Sequence, residues 1–517
     1  MSKIQILWAD DEIELLKPHI LFLESKGYDV TTVNNGLDAV EYVQASPYDL
    51  VFLDENMPGV SGLEALNQIK ELRENIPVIM ITKSEEEHIM EDAIGSHIAD
   101  YLIKPVNPKQ ILLSIKKNVD NKRLVTEKVT SKYQQEFRNI MMALMDHLDF
   151  DKWKALYKKM VYYELEIQKS NETGMEEVME TQKSETNREF AKYIEKNYMS
   201  FLDYDNADAP IMSHTLMNRS IVPEVGEEPV FLFLIDNLRF DQWKFIQPLI
   251  SELFRVDDED MYLSILPTTT QYCRNSIFAG LLPADIEKRF PNKWSNEEEE
   301  GGKNLHEEAF LKDLLHRLRS DAKTSYTKIV HLNQGKDLVD DIPNLFDNDL
   351  NVVVYNFVDT LSHARTDNKV MRELAENEAA YRSLTLSWFE HSPLYDALKR
   401  ISEKKAKVII TTDHGSVKVT DPVKVIGDRK TTTNLRYKTG RNLDFKSKEV
   451  FLIKEPKKAG LPVQHLSSNF IFCKNADFFV YPNNLNHYAK YYRNTIQHGG
   501  ISIEEMMIPL IKLSSKK

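Results

Sequence analysis

The sequence predicts an α/β protein in three parts, and three observations carry that reading. From Ile4 to Asn118, short apolar runs (IQILWA, YDLVFLDE, IPVIMIT, ADYLIKP) alternate with segments of helical period, the pattern of βα repeats around a parallel sheet. Beyond Pro108 the texture changes. No proline recurs until Pro210, and Gly174 is the one glycine between Gly95 and Gly226, which predicts a helical linker. From Glu228 onward strand-like runs return, and FLFLID, NVVVYNFVD, AKVIITTDH and, less cleanly, TIQHGG end in acids or histidines, at the strand ends where open α/β sheets bind their ligands. The expected parts are a doubly wound domain over 1–120, a helical linker bundle over 121–205 and a second α/β domain over 206–517.

Length supports the division, since 517 residues exceed the roughly 250–300 that one hydrophobic core serves. No apolar run approaches the ~18 residues a membrane span needs, and VFLFLI at 230–235 reads as a buried strand. The amino terminus offers one lysine and then IQIL, interrupted by acids too soon for a secretory segment, so a cytoplasmic location is expected. Two cysteines 200 positions apart, Cys273 and Cys473, support neither a disulfide framework nor a cysteine zinc site.

A net charge of −14 argues against sequence-independent binding to duplex DNA. One basic stretch stands out, with Lys424, Arg429, Lys430, Arg436, Lys438 and Arg441 between Lys418 and Lys448; it reads equally as a solvated loop or a substrate-facing one. In the linker, Trp153, Leu156, Tyr157, Met160 and Tyr163 follow the spacing of a buried helical stripe. The polar segment around Gly174 fits either a loop between helices or a solvated helix.

In the first domain Asp10 and Asp11 close the first strand, Asp54 closes VFLD, Thr82 closes VIMIT and Lys104 precedes Pro105. Three carboxylates make a hard oxygen site suited to Mg²⁺, and with Lys104 they can neutralise charge on a phosphoryl group in transfer to Asp54. Thr82 is placed to bond the new phosphate. The competing reading, helix caps and solvated loops, explains such acids singly but not all five groups in register. These residues, as DD, LDENMPG, IT and YLIKP, resemble the receiver family across residues 3–120. The resemblance implies that a histidine kinase phosphorylates Asp54, that Asp10, Asp11 and Asp54 bind Mg²⁺ with the Asn56 carbonyl, and that Thr82 and Tyr101 form a switch with Lys104. It also implies a dimer face between Glu85 and Lys117. Trp8 and Ala9 depart from the usual aliphatic run.

In the third part, Asp236 follows VFLFLI, Thr270 lies in LPTTTQYCRNSIFAGLLP, Asp359 and His363 make DTLSH, Asp413 and His414 make TTDHG, and His498 makes QHGG. Six oxygen and nitrogen ligands without a thiolate suit zinc, with manganese the rival, and fit two ions better than one. Two ions can clamp the attacking and leaving oxygens of a displacement at phosphorus, with a threonine as nucleophile. Thr268 and Thr269 compete with Thr270 for that role. Asn275 and Arg274 are candidates for contacts to phosphoryl oxygens, with surface or helix-start roles as alternatives.

The order and motifs resemble the alkaline phosphatase superfamily, and HGGISIEEMMIPLI looks like its PglZ branch, over about 225–515. The resemblance implies one ion held by Asp236, Thr270, Asp413 and His414 and another by Asp359, His363 and His498, with Thr270 as nucleophile. The whole arrangement, with the opening ILWADDE, is similar to the PorX-type response regulators of Bacteroidota. That similarity implies a PorY-type partner kinase, control of type IX secretion with an extracytoplasmic-function sigma factor, and phosphodiesterase action on linear or cyclic oligonucleotides. Phosphorylation is expected to promote a homodimer and bias the enzyme through the linker. A metal-containing binding module that recruits a sigma factor or secretion protein without turnover is the alternative. A DNA-binding regulator is disfavoured, because no basic terminal helix-turn-helix pattern is present.

Overall fold

The computed structural model describes residues 3–73, 76–83, 98–170, 173–296, 301–375, 377–427, 431–463, 465, 467–483 and 485–516. The chain divides into two compact units, one of Met1–Gln135 with Lys169–Glu172 and one of Glu136–Gln168 with Thr173–Lys517.

The first unit holds a five-stranded parallel sheet of β1 (Gln5–Ala9), β2 (Asp29–Val33), β3 (Leu50–Asp54), β4 (Val78–Thr82) and β5 (Asp100–Ile103) in the order β2-β1-β3-β4-β5. β3 and β4 are buried throughout because helices cover both faces, which is why they read as unbroken apolar runs. Alternation then assigns the faces. Leu7, Val51, Leu53, Val78 and Met80 enter one core, while Ile6, Trp8, Leu50, Phe52, Ile79 and Ile81 enter the other. Trp8 packs its ring 5.0 Å from that of Phe52, so the aromatic departure is accommodated inside the second core. The helix Gly62–Leu72 starts on a capping box of Ser61 and Glu64. Gly62 is required there, since a Cβ would lie 2.2 Å from the Asp54 carbonyl oxygen.

The second unit is organised by a six-stranded sheet of β6 (Val230–Ile235), β7 (Phe254–Leu263), β8 (Thr324–Ile329), β9 (Leu350–Tyr355), β10 (Lys407–Thr411) and the last strand, Met507–Ser515. Its order is β7, last strand, β10, β6, β9, β8. β10, β6, β9 and β8 run parallel, and the last strand is antiparallel to both neighbours. Every residue of β6 and β9 is buried, so their carboxyl ends deliver the following side chains to one edge of the unit.

The linker helices Phe150–Ser170 and Thr173–Phe201 share this core. Trp153, Leu156, Tyr157 and Met160 are buried together with Phe190, Ile194 and Tyr198, in the same apolar cluster as β6 and β10; Tyr163, last of the expected stripe, is half-buried. Trp153 meets Phe190 edge-on at 5.2 Å, and the Tyr198 hydroxyl accepts from the Leu266 amide at 2.7 Å. The segment around Gly174 is helical on both sides of residues 171–172. No described helix is long and apolar enough to cross a membrane.

One core implies one cooperative transition. Trp153→Ala is expected to cost about 3–5 kcal/mol, and in urea the linker helices and the metal-ligand region should lose structure at one lowered midpoint. Separate midpoints would show that the helices stand apart. His214 adds a pH dependence. Burial first, then the Arg219 charge, pushes its imidazole down to about 4 from 6.5. Because the folded value lies below the unfolded one, the unfolded chain takes up the extra proton, and stability falls as pH drops from 6.5 toward 4. The loss amounts to about 3 kcal/mol, and His214→Gln should remove that part of the slope in urea midpoints measured against pH.

Candidate functional site

The strand order of the first unit sets β1 beside β3, so Asp10 and Asp54 reach the same sheet edge. Asp10, Asp11 and Asp54 offer carboxylate oxygens within 4.8 Å of one another, with Asp10 and Asp54 buried and Asp11 exposed. The Lys104 ammonium lies 2.8 Å from Asp54 Oδ1 and 2.9 Å from Asp10 Oδ2. Burial pushes Asp54 up to about 6 against the bond from Lys104, and the charges of Asp10 and Asp11 add to the rise. For Lys104, burial works downward, but its bonds to Asp54 and Asp10 hold the ammonium above its usual value. This is a surplus of negative charge in a compact oxygen site, which fits a hard divalent cation.

Thr82, wholly buried, donates its hydroxyl to the Glu55 carboxylate and shares a hydrogen bond with the Tyr101 hydroxyl. Glu55 is a partner that the sequence did not single out. It stands between Asp54 and Asn56, and nothing in LDEN marks which acid turns inward. The Asn56 side chain is exposed. Beside Lys104 a groove of about 420 Å³ is lined by Leu15, Leu16, His19, Pro105 and Val106 among others. Of the segment from Glu85 to Lys117, residues 85–97 lie outside those described.

In the second unit Asp236 follows β6, Asp413 and His414 follow β10, and the three bring ligand atoms within 4.8 Å of one another, all buried. Thr270 opens the helix Thr270–Ala279, with its hydroxyl 3.1 Å from His414 Nε2 and 3.5 Å from Asp236 Oδ1. The neighbouring threonines are turned elsewhere. Thr268 donates to the Gly500 carbonyl and accepts from the Gly499 amide, while its own carbonyl meets His498 Nδ1 at 3.2 Å. Thr269 is the residue before the helix, and its buried hydroxyl has no partner among the described residues.

A second group forms from Asp359 and His363, one turn apart on the helix Phe357–Asp367, and His498. Nε2 of His363 lies 3.5 Å from Asp359 Oδ2, and Nε2 of His498 lies 3.7 Å from Asp359 Oδ1. The His414 and His498 rings stack at 4.4 Å, which sets the two groups side by side. Burial, and then the charge of His414, pushes His498 down to about 3, so the ring is neutral and able to offer a lone pair. For Asp359 burial works upward, but the hydrogen bond from His363 and the nearby histidine charges outweigh it and hold the carboxyl low. Paired oxygen and nitrogen donors without a thiolate fit two borderline or hard divalent ions.

The structure corrects two expectations. Arg274 is wholly buried and points at protein acids rather than at a substrate: its guanidinium pairs with Asp236, lies 3.0 Å from Asp413 Oδ2 and 3.6 Å from Glu307 Oε1, and donates to Asn356 Oδ1 at 3.1 Å. Asn275, 1% exposed, donates to the Lys303 carbonyl and accepts from Asn304, so its amide is engaged with protein partners. Burial, opposed by Arg274, pushes Asp236 well up. Burial works the same way on Asp413, but Arg274 and then His414 outweigh it and hold that carboxyl down.

The basic stretch does not form one surface. Arg436 is buried on Glu505, Lys438 is buried against the Thr432 carbonyl, Lys424 and Arg441 are exposed, and Arg429 and Lys430 lie outside the described residues. Two further residues of the site were missed. Glu505 also accepts from the Gly500 amide, two residues past His498. Asn187, on the linker helix, donates to Glu504 at 3.0 Å and accepts from the Ile503 amide at 2.7 Å. Gly415, next to His414, admits no side chain, since a Cβ would lie 1.9 Å from the Glu504 carbonyl oxygen.

Removing Arg274 while keeping its acids leaves buried charge unbalanced. Arg274→Gln is therefore expected to lower the stability of chelator-treated protein by about 3–5 kcal/mol. Added zinc should then raise the melting temperature of the variant more than that of the wild type, because the ion takes over part of the balance. Equal zinc responses would show that Arg274 does not share its acids with a metal.

Three family profiles match the chain. They are the BREX system PglZ alkaline phosphatase-like domain over residues 216–513, the PorX response regulator linker domain over 123–202, and the response regulator receiver domain over 6–116. Curated relatives align to the receiver part. The transcriptional regulatory protein ZraR of Klebsiella oxytoca is 31% identical over 28% of this chain and 34% of its own. The CpxR homolog of Haemophilus influenzae is 39% identical over 22% of this chain and 49% of its own. The chain thus spans a third to a half of the length of these relatives. Among solved structures, a CheY-like receiver protein from Methanospirillum hungatei is 27% identical, covers 23% of this chain and 96% of its own, and has a TM-score of 0.23. With more than half of its 517 residues matched by the PglZ profile, the chain belongs to the PglZ alkaline phosphatase-like family, joined at its amino-terminal side to a response regulator receiver domain.

Proposed function

We propose that this chain is a response regulator whose PglZ-type part hydrolyses phosphodiesters of linear or cyclic oligonucleotides under control of Asp54 phosphorylation. The observation that carries the catalytic half is the placement of the Thr270 hydroxyl, 3.1 Å from His414 and 3.5 Å from Asp236, beside the second group of Asp359, His363 and His498. Zinc is the assigned metal, with manganese the alternative; when bound, the two ions supply neutralisation of charge on the attacking and leaving oxygens. Thr270 Oγ forms a bond to phosphorus as the bond to the leaving oxygen breaks, and hydrolysis then restores the hydroxyl. The helix start at Thr270 points backbone N–H groups toward the same space, where negative charge is favoured.

In the receiver, Asp10, Asp11, Asp54 and the Asn56 carbonyl hold Mg²⁺, Lys104 offsets charge on the incoming phosphoryl group, and Thr82 leaves Glu55 to bond the new phosphate, with Tyr101 following. A histidine kinase, of the PorY type by resemblance, supplies the phosphoryl group, and the apolar groove beside Lys104 fits a helix of that partner. The parts 1–120, 121–205 and 206–517 then act as receiver, linker and output, in the cytoplasm, with a phosphorylation-dependent homodimer and an extracytoplasmic-function sigma factor in type IX secretion as the setting.

Hydrolysis of a short oligonucleotide by zinc-loaded protein tests this directly. Thr270→Val should lower kcat by roughly a thousandfold or more at unchanged zinc content, and Asp54→Asn should abolish any response to a phosphoryl mimic. Sedimentation with and without the mimic reads the dimer step. Turnover by neither diester nor monoester substrates in fully metallated wild type would shift the assignment to a binding module that recruits a protein partner.

A further inference from the structure

The helix that follows the one carrying Asp359 and His363, and a second helix that meets it through Arg372, are unusual in what they leave exposed. Eight large apolar or aromatic side chains are exposed among the described residues beyond Tyr204, and four of them, Val370, Leu374, Tyr488 and Tyr491, lie on the helices Lys369–Leu374 and Leu485–Tyr492. The second of these helices buries none of its residues although it carries three tyrosines and a histidine. Leu485 and Tyr492 seat the second helix on the cluster of Val417, Val419, Phe478 and Val480, which leaves Tyr488 and Tyr491, 42% and 40% exposed, with faces open to a ligand.

The connection to the metal-ligand group is direct. His363 and Thr366 are a turn apart on the helix Phe357–Asp367, roughly 5 Å along the axis. Arg372 donates to the Thr366 carbonyl and holds its guanidinium 5.3 Å over the Tyr491 ring. Ile496, two residues before His498, packs with Leu361 and Met371 on the same helices. His363 is itself open to solvent, its side chain 63% exposed. The charge of the segment that carries the tyrosines is also suited to a polyanion. From Pro482 to Gly500 the chain carries Lys490 and Arg493 and no acid, in a protein whose net charge is −14.

Aromatic rings backed by a guanidinium, next to a site for a phosphodiester, are the chemistry that holds unpaired nucleobases without reading their sequence. We infer that Tyr491, braced by Arg372, with Tyr488 beside it, is a stacking platform for the nucleobase adjoining the phosphate held near His363 and His498. This inference rests on the oligonucleotide reading and deepens it. Single-stranded or looped substrates are favoured over duplex, whose bases are already stacked on each other, and cleavage tolerates changes of base because every base presents a flat face.

The test uses full-length, zinc-loaded Thr270→Val protein, so that binding is read without turnover. Short single-stranded oligonucleotides carrying 2-aminopurine are compared with abasic strands of equal length and charge, labelled at one end. With Tyr491 intact, the base-containing strand is expected to bind more tightly by about 5- to 100-fold, with fluorescence quenching. In the Tyr491→Ala background the ratio should fall toward one, and Tyr491→Phe should restore it at equal zinc content and melting temperature. A ratio unaffected by Tyr491→Ala overturns the platform, as does loss of self-association in that variant with base preference retained, which would assign the rings to a second copy of the chain. If wild type binds with base preference but hydrolyses neither strand, the platform stands and the phosphodiesterase reading fails.

Discussion

Arg274 sits wholly out of solvent among Asp236, Asp413 and Glu307, and the chemistry of the output site depends on how that one charge is shared. An unpaired guanidinium could not be buried at this depth, and neither could three carboxylates without it. Glu307 is drawn away in turn by Lys328 at 2.7 Å and by the Tyr326 hydroxyl at 2.6 Å. Asp236 and Asp413 are therefore left with one cationic partner between them. Two acids that share one cation beside an imidazole make a donor set that a divalent ion completes. The arginine fixes the acids in place and leaves their remaining lone pairs pointing at His414 and Thr270.

The segment HGGISIEEMM ties this centre to its surroundings. Glu505 is bonded by Nε and one terminal nitrogen of the buried Arg436 and by the Gly500 amide, while its carbonyl accepts from the Gly415 amide beside His414. Glu504 and the Ile503 amide are held by Asn187. A displacement of the helix Thr173–Phe201 thus has a contiguous hydrogen-bonded route to both groups of ligands. Such a route is a physical requirement for a linker that biases catalysis, and it becomes a coupling only if the helix has two positions of different energy.

Much of the fold was legible because both sheets are buried on two faces. Strands of that kind read as apolar runs of four to six residues, and the polar residue ending each run stands out, as Asp54, Asp236 and Asp413 do. The local motifs of Asp359 with His363 and of His498 stand out for the same reason. What the sequence hides is partnership across distance. Arg274 reads as a phosphate contact because an arginine near a reactive threonine is usually exposed, and its burial depends on Glu307 in NLHEEAF, a stretch with no distinguishing pattern. Asn187 lies in a polar run whose composition looks solvated, yet one face of its helix carries Phe190, Ile194 and Tyr198 into the core. The linker expected from composition shares its core with the second sheet for that reason: Trp153, Leu156, Tyr157 and Met160 bury with Phe190, Ile194 and Tyr198 in the cluster that holds β6 and β10.

The two groups of ligands differ in one respect that orders the reaction in space. Asp236, Asp413 and His414 are at most 1% exposed, whereas His363 is 63% exposed and Asp359 and His498 retain 19% and 14%. Among the described ligand residues, the open group is the more accessible to a phosphate. Thr270, half-buried, stands at the boundary, with its hydroxyl turned to the sealed side. The sealed group keeps the hydroxyl's surroundings dry, where charge interactions are strongest, and the open group leaves room for a chain longer than one phosphate. Two adjoining groups of ligands serve monoesters and diesters alike, since the attacking and leaving oxygens carry charge in both. The exposure of His363 leaves space on that side for a ligand that extends beyond one phosphate, which the proposed diester substrate would require.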